Sequence, residues 1–302
     1  MSDFTSGFWE IYIGVLTLVS ILACAVFLWA QSTRRVKGER VDTTGHVWDE
    51  DLQEWNNPLP RWWMWLFYIT IVFSLVYLWL YPGFTMFGNA LGWTQVRQYE
   101  EEVKRTEERI GPIYARYQGM DFAQLAGDKE AMAIGQNLYL NYCAQCHAAD
   151  ARGSRGFPNL ADGDWQWGGD PKAITETILN GRVGVMPAFG GVLGTDGVRD
   201  TTHYVMSLSG LAHDSIRAAR GKEKFAQNCA ACHGADGKGN QALGAPNLTD
   251  RIWLHGSAEA DIAATIANGR NNQMPAWKDF LGEAKVHVLA AYVWSLSNRP
   301  GR

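Results

Sequence analysis

Cysteine is scarce in this chain. There are five in 302 residues, and four of them sit in two pentapeptides of identical spacing, which leaves nothing for a disulfide framework. The alternation of apolar and polar residues that marks half-buried strands is also missing, so helix is the expected main element. Charge is absent from residues 11–30 and again from residues 62–81. Histidine is absent from both stretches too, so neither can hold a metal through an imidazole. Residues 1–10 contain no Lys or Arg, and the formal net charge of −4 says little about partners. No nucleic-acid partner is implied.

What is present is a doubled motif. Cys143-Ala144-Gln145-Cys146-His147 and Cys229-Ala230-Ala231-Cys232-His233 each place two thiols and an imidazole together, and each is followed some forty residues later by Met-Pro-Ala, at Met186 and at Met274. Thiols at this spacing add to the two vinyl groups of heme, and the adjoining histidine reaches the iron. The expectation is two covalently bound heme c groups, attached through Cys143, Cys146, Cys229 and Cys232 and ligated by His147, His233, Met186 and Met274. With both axial positions filled the iron has no open site for substrate, so electron transfer is expected rather than catalysis.

The motifs belong to a duplicated unit. From the loop onwards the two halves match at an offset of 88 residues: Pro158-Asn159-Leu160 falls on Pro246-Asn247-Leu248, Asn180-Gly181-Arg182 on Asn268-Gly269-Arg270, Trp165 on Trp253 and Tyr204 on Tyr292. Each copy is about 80 residues, too small for a generous core, so the heme itself becomes much of that core. Three helices are expected per copy, over residues 129–146, 171–179 and 195–208 in the first and 214–232, 258–267 and 283–296 in the second. Met206 aligns with Trp294, which makes it a core residue rather than a rival ligand. His203, His255 and His287 align with Ala291, Trp167 and Arg199 and read as packing or surface histidines. Arg182 and Arg270 suit either heme propionates or solvent, and Trp165 and Trp253 either the porphyrin edge or the core. Whether each Met serves its own lobe's heme or the other's is left open, although a swap would lock the lobes together.

The two uncharged stretches are each about 20 residues, enough at about 1.5 Å per residue to cross a hydrocarbon layer of about 30 Å. Trp9, Trp29, Trp62, Trp63, Trp79 and Tyr81 decorate their ends as interfacial aromatics do. Arg34, Arg35, Lys37, Arg40 and Arg61 lie between them, which predicts a cytoplasmic loop and puts both the N-terminus and the heme lobes in the periplasm. A cleaved signal or lipoprotein box at Cys24 is the weaker reading, because the apolar run continues beyond it and no charged region precedes it. Residues 94–117 form a charged helical spacer, expected to end near Gly111-Pro112.

The fold class expected is mainly α: two N-terminal transmembrane helices followed by two tandem class I c-type cytochrome domains. The divisions are 1–30 (periplasmic N-terminus and first span), 31–61 (cytoplasmic loop), 62–93 (second span), 94–128 (spacer), and 129–210 and 211–302 (the two cytochrome domains). The segment Val47-Trp48-Asp49-Glu50-Asp51-Leu52-Gln53-Glu54-Trp55-Asn56-Asn57-Pro58-Leu59-Pro60-Arg61-Trp62-Trp63, leading into a membrane helix ahead of two heme motifs, resembles the diheme subunit (CcoP, subunit III) of cbb3-type cytochrome c oxidases over essentially the whole chain. That resemblance implies a multi-pass protein of the bacterial inner membrane that accepts electrons from a periplasmic donor cytochrome c. It implies, as partners, a second membrane-bound cytochrome c subunit, the catalytic heme-copper subunit of a proton-pumping oxidase, and membrane lipid. The alternative is a stand-alone membrane-anchored diheme cytochrome serving other reductases. A diheme peroxidase is disfavoured by the doubled Met-Pro, and a heme sensor by the lack of an output domain.

Overall fold

The computed structural model describes residues 6–33, 42–57, 59–83 and 89–298. The basic residues Arg34, Arg35, Lys37 and Arg40 lie outside them, as does Met1. The chain divides into two compact units at residue 107, each taken by itself here.

The first unit contains α1 (Gly7–Thr33), a hairpin of β1 (Thr43–Trp48) and β2 (Leu52–Trp55), and α2 (Arg61–Leu80); α3 (Gln95–Gln118) begins in it and ends in the second. Both α1 and α2 are long and apolar enough to cross a membrane, with almost nothing on them buried. The spacer helix does not stop at Gly111-Pro112 but carries Pro112 inside it and runs on to Gln118. Its last turns have a packing reason to stay helical: Tyr114 and the fully buried Tyr117 join the core of the second unit, which offsets the hydrogen bond that proline removes.

The second unit holds α4 (Phe122–Gly127), α5 (Lys129–Tyr142), α6 (Ala144–His147), α7 (Pro171–Asn180), β3 (Arg182–Met186), α8 (Gly190–Leu208), α9 (Ser215–Asn228), α10 (Ala230–His233), α11 (Glu259–Asn268), β4 (Arg270–Met274) and α12 (Lys278–Ser297). The helix starts are written in the sequence. Asp128, Asp170 and Asp214 each accept two backbone N–H groups at the first turns of α5, α7 and α9. The third helix of each copy has a kink where glycine takes a positive φ, at Gly194 and Gly282, so the regular helix begins at residues 195 and 283.

Strands are the departure from expectation. Among the described residues two antiparallel strand pairs form, β1 with β2 and β3 with β4. The second pair joins segments 88 residues apart, a pairing that no local alternation announces. Its register is symmetric: Arg182 opposes Met274, Met186 opposes Arg270, and Gly184 faces Asn272 at the centre. Gly181 and Gly269, at φ 70° and 71°, enter the two strands where a Cβ would strike the carbonyl of Met274 and of Met186 respectively.

This ribbon carries the chain across from one lobe to the other. Helix α12, from the second copy, packs on α4, α5 and α7 of the first, while α8, from the first copy, packs on α9 and α11 of the second. The bond from Trp277 N–H to the Ile178 carbonyl and its counterpart from Phe189 N–H to the Ile266 carbonyl, both 3.0 Å, stitch the exchange. Each lobe is therefore closed by the terminal helix of the other repeat.

Two close approaches hold the exchanged helices. Gly135 of α5 lies under α12, where an added Cβ would sit 2.5 Å from Tyr292 Cβ, and Gly221 of α9 lies under the Asp200 carbonyl of α8. The loops after the heme motifs differ between the halves. Ala148 and Ala151 hold φ of 61° and 62° where the second half has Gly234 and Gly237. The strained alanine is latched: the buried Tyr139 hydroxyl donates to the carbonyls of Ala148 (2.7 Å) and His147 (3.2 Å), whereas the equivalent Phe225 has no hydroxyl.

Gly135→Ala should destabilise the heme-loaded protein by about 1–3 kcal/mol through overpacking, read as a lower denaturant midpoint. Tyr139→Phe should cost about 0.5–1.5 kcal/mol by removing the hydroxyl from two carbonyls that then keep only the N–H groups of Ala151 and Gly153, and adding Ala148→Gly should recover about 1 kcal/mol by releasing the strain. No recovery in the double variant would mean that Tyr139 does not act on the Ala148 turn.

Candidate heme-binding site

Helices α5 and α9 end at Cys143 and Cys229, and the chain turns through α6 and α10 to bring the imidazole of each motif inward. His147 and His233 are both buried. Each ring is held by one backbone group: Nδ1 of His147 donates to the Pro158 carbonyl at 3.0 Å, and Nδ1 of His233 to the Pro246 carbonyl at 3.1 Å. A carbonyl only accepts, so the proton is placed on Nδ1 and the lone pair on Nε2, the tautomer a metal ligand needs. Burial pushes both imidazoles below their ordinary pKa, with the carbonyl contact opposing it, so both are neutral at physiological pH. Burial also drives the Cys143 and Cys229 thiols up to about 11, while Cys146 and Cys232 are exposed.

Met274 and Met186 fall in different apolar clusters. One cluster contains Tyr139, Cys143, Leu160, Trp165, Ile174, Ile178, Leu281 and Met274. The other contains Phe225, Cys229, Leu248, Trp253, Ile262, Ile266, Val198 and Met186. Met274 thus shares a core with the motif of the first repeat, and Met186 with that of the second. Met206 is a buried residue of α8 in the second cluster, in the place that Trp294 takes in the first.

The remaining residues singled out in the sequence fall into supporting roles. Trp165 and Trp253 pack in the two cores, and Trp253 Nε1 is one of two buried side-chain polar atoms without a protein partner among the described residues. Arg182 and Arg270 are half-buried rather than solvated. Their Nε atoms donate to Thr177 and Thr265 of the preceding helix, at 2.9 and 3.0 Å, and Arg182 also lies over the Trp167 ring. His203 accepts from the Asp214 N–H, His255 pairs with Asn272, and His287 donates to the Met120 carbonyl beside Phe122. The carbonyls of Pro158 and Pro246 were not singled out, although their place in the repeated Pro-Asn-Leu was the available signal.

The donor set suits heme c. Each lobe presents two thiols, a neutral Nε2 and a thioether around an apolar core, which is the ligand chemistry of a low-spin heme iron. The unpartnered Trp253 N–H is a buried donor that a carboxylate at a macrocycle edge would satisfy.

Comparison with known proteins agrees. The family model described as cytochrome c oxidase, cbb3-type, subunit III matches residues 130–205 and 217–293. The model for the N-terminal domain of cytochrome oxidase-cbb3, FixP, matches residues 40–88. The chain is 51% identical to the cbb3-type cytochrome c oxidase subunit CcoP of Rubrivivax gelatinosus, over 98% of this chain and 97% of the relative. It is 40% identical to the subunit FixP of Azorhizobium caulinodans, over 84% and 92%, and 37% identical to the CcoP of Cereibacter sphaeroides, over 87% and 97%. The stand-alone cytochrome set against this reading is not favoured by such full-length relatives. Two membrane-type helices, a doubled cytochrome module and matches that run nearly end to end lead to one assignment: this chain belongs to the CcoP/FixP family, the membrane-anchored cytochrome c electron-transfer subunit of cbb3-type oxidases.

Proposed function

We propose that the chain binds two heme c groups, each of which would be held by residues of both repeats. Cys143, Cys146, His147 and Met274 hold the first, and Cys229, Cys232, His233 and Met186 the second. The single observation that carries this reading is the sharing of apolar cores, Met274 with Cys143 and Met186 with Cys229. When bound, heme iron supplies a one-electron Fe(II)/Fe(III) couple. The protein's part is to keep that couple fast and selective. His147 and His233 present a fixed, neutral Nε2; Met274 and Met186 would supply a thioether from the apolar core and help to exclude water; and the packed lobes would leave little to rearrange between oxidation states. On the ribbon, Met186 and Met274 point to the same face four register steps apart, which at about 3.4 Å per residue is about 14 Å along the strands.

In this reading the heme lobes and N-terminus are periplasmic, the segment between α1 and α2 is cytoplasmic, and both helices span the inner membrane. Support comes from the basic residues between the helices and their absence before α1. Electrons pass from a periplasmic donor cytochrome c, by way of a second membrane-bound cytochrome c subunit, towards the catalytic heme-copper subunit.

Two measurements test this. Extracted in mild detergent, the chain should come out with an oxygen-consuming complex; a solitary heme protein without oxidase activity would overturn the subunit role. For the ligands, a chain with Cys143→Ser and Cys146→Ser keeps only the second heme. In that background Met186→Ala should abolish the near-infrared band of Met-ligated ferric heme and open the reduced iron to carbon monoxide, while Met274→Ala should leave both unchanged. The reverse pattern would mean that each Met serves its own repeat.

A further inference from the structure

The hairpin β1–β2 has no core. Trp48 opposes Leu52 across the strands, so these two share one face. Val47 opposes Gln53, and Trp55 lies two residues beyond Gln53, so Val47 and Trp55 share the other. All four are exposed, at 53%, 62%, 52% and 65% in the order named. A two-stranded hairpin is at best marginal in water, and this one shows apolar side chains on both sides. A protein partner docked on one face would leave the other uncovered. A medium in which the whole hairpin is immersed covers both.

The tether says which medium. Only residues 56–60 separate β2 from the first residue of α2, so at about 3.3–3.6 Å per residue over six steps the end of β2 lies within about 22 Å of the helix start. That first turn carries the exposed Trp62, Trp63 and Trp65. Tryptophans at such a place mark the boundary between hydrocarbon and water, and Trp48 and Trp55 extend the same belt. Three of the hairpin's four acidic residues, Asp49, Glu50 and Asp51, form the turn at its far end, where water can reach them, and the fourth, Glu54, is an exposed residue of β2 on the Trp48–Leu52 face whose side chain must reach the aqueous side of the headgroup layer.

We propose that β1–β2 is an interfacial element lying in the headgroup layer of the bilayer that α2 enters, with Trp48, Leu52, Val47 and Trp55 immersed and the acidic tip in water. It fixes the depth and tilt of α2 from outside the hydrocarbon. The proposal rests on the reading of α2 as a membrane span, and the test separates the two. In the heme-loaded full chain in nanodiscs of phosphatidylethanolamine and phosphatidylglycerol, on a Cys24→Ser background, spin labels are placed through Trp48→Cys, Trp55→Cys, Glu50→Cys and Val72→Cys, with the hemes reduced so that the iron is diamagnetic. The ratio of oxygen to nickel-chelate collisions should be severalfold higher at 48 and 55 than at 50, and highest at 72. Ratios at 48 and 55 equal to that at 50 would overturn the interfacial hairpin while leaving α2 in place. A label at 72 open to the nickel chelate would overturn the span and the hairpin with it. As an independent measurement, p-benzoylphenylalanine replacing Trp48 or Trp55 in growing cells should yield no protein adduct on irradiation; a discrete adduct at both positions would assign the hairpin to a protein surface and overturn the proposal.

Discussion

The pairing of Arg182–Met186 with Arg270–Met274 is the contact on which the heme-bearing unit depends. Five residues from each repeat meet across a symmetric register, and everything downstream of each strand is delivered to the other lobe. Closure of the pair needs Gly181 and Gly269, because a side chain at either would collide with the carbonyl of the opposing Met. With the ribbon closed, α12 completes the core around Tyr139, Ile174 and Ile178, and α8 the core around Phe225, Ile262 and Ile266. The two repeats form one unit in which each core is completed by a helix of the other, so two small cores gain the stability of a larger one.

Within that frame the lobes have diverged in how they hold their exchanged helices. In the second, Asp200 of α8 is buried and meets Arg217 and Arg220 of α9, each at 3.1 Å. In the first, the aligned position is Val288 of α12, which packs without charge. A buried carboxylate is costly unless well paired, and the two guanidiniums offset that cost for Asp200. The motif loops differ in the same spirit. Tyr139 latches a strained Ala148 in the first lobe, and Phe225 sits over a relaxed Gly234 in the second. Two otherwise equivalent loops thus differ in how their backbone is held beside His147 and His233.

The membrane part follows a different economy. Helices α1 and α2 bury almost nothing within the protein, and the hairpin between them exposes its largest side chains. Such surface marks contact with lipid or with another protein rather than with bulk water. The same few tryptophans that made residues 47–63 a recognisable segment are those that have no protein cover.

Much of this was legible in the chain. The Cys-x-x-Cys-His motifs, the Met-Pro steps and the 88-residue offset picked out Met186 and Met274 over Met206, because covalent and ligand chemistry demands particular residue types at fixed local spacing. Helix starts at Asp128, Asp170 and Asp214, and the two long apolar helices, were local too. The continuation of α3 past Pro112 was not, since it depends on Tyr117 being buried by residues distant in sequence. Nor was the ribbon, whose strands are too short to alternate visibly and whose partner lies a whole repeat away. By itself, then, the sequence determined which groups can hold iron and which segments seek lipid. Only the tertiary structure decided that Met274 packs with Cys143 and Met186 with Cys229, because two copies of one motif are chemically equivalent until the backbone pairing at Gly184 and Asn272 sends each terminal helix to the opposite lobe.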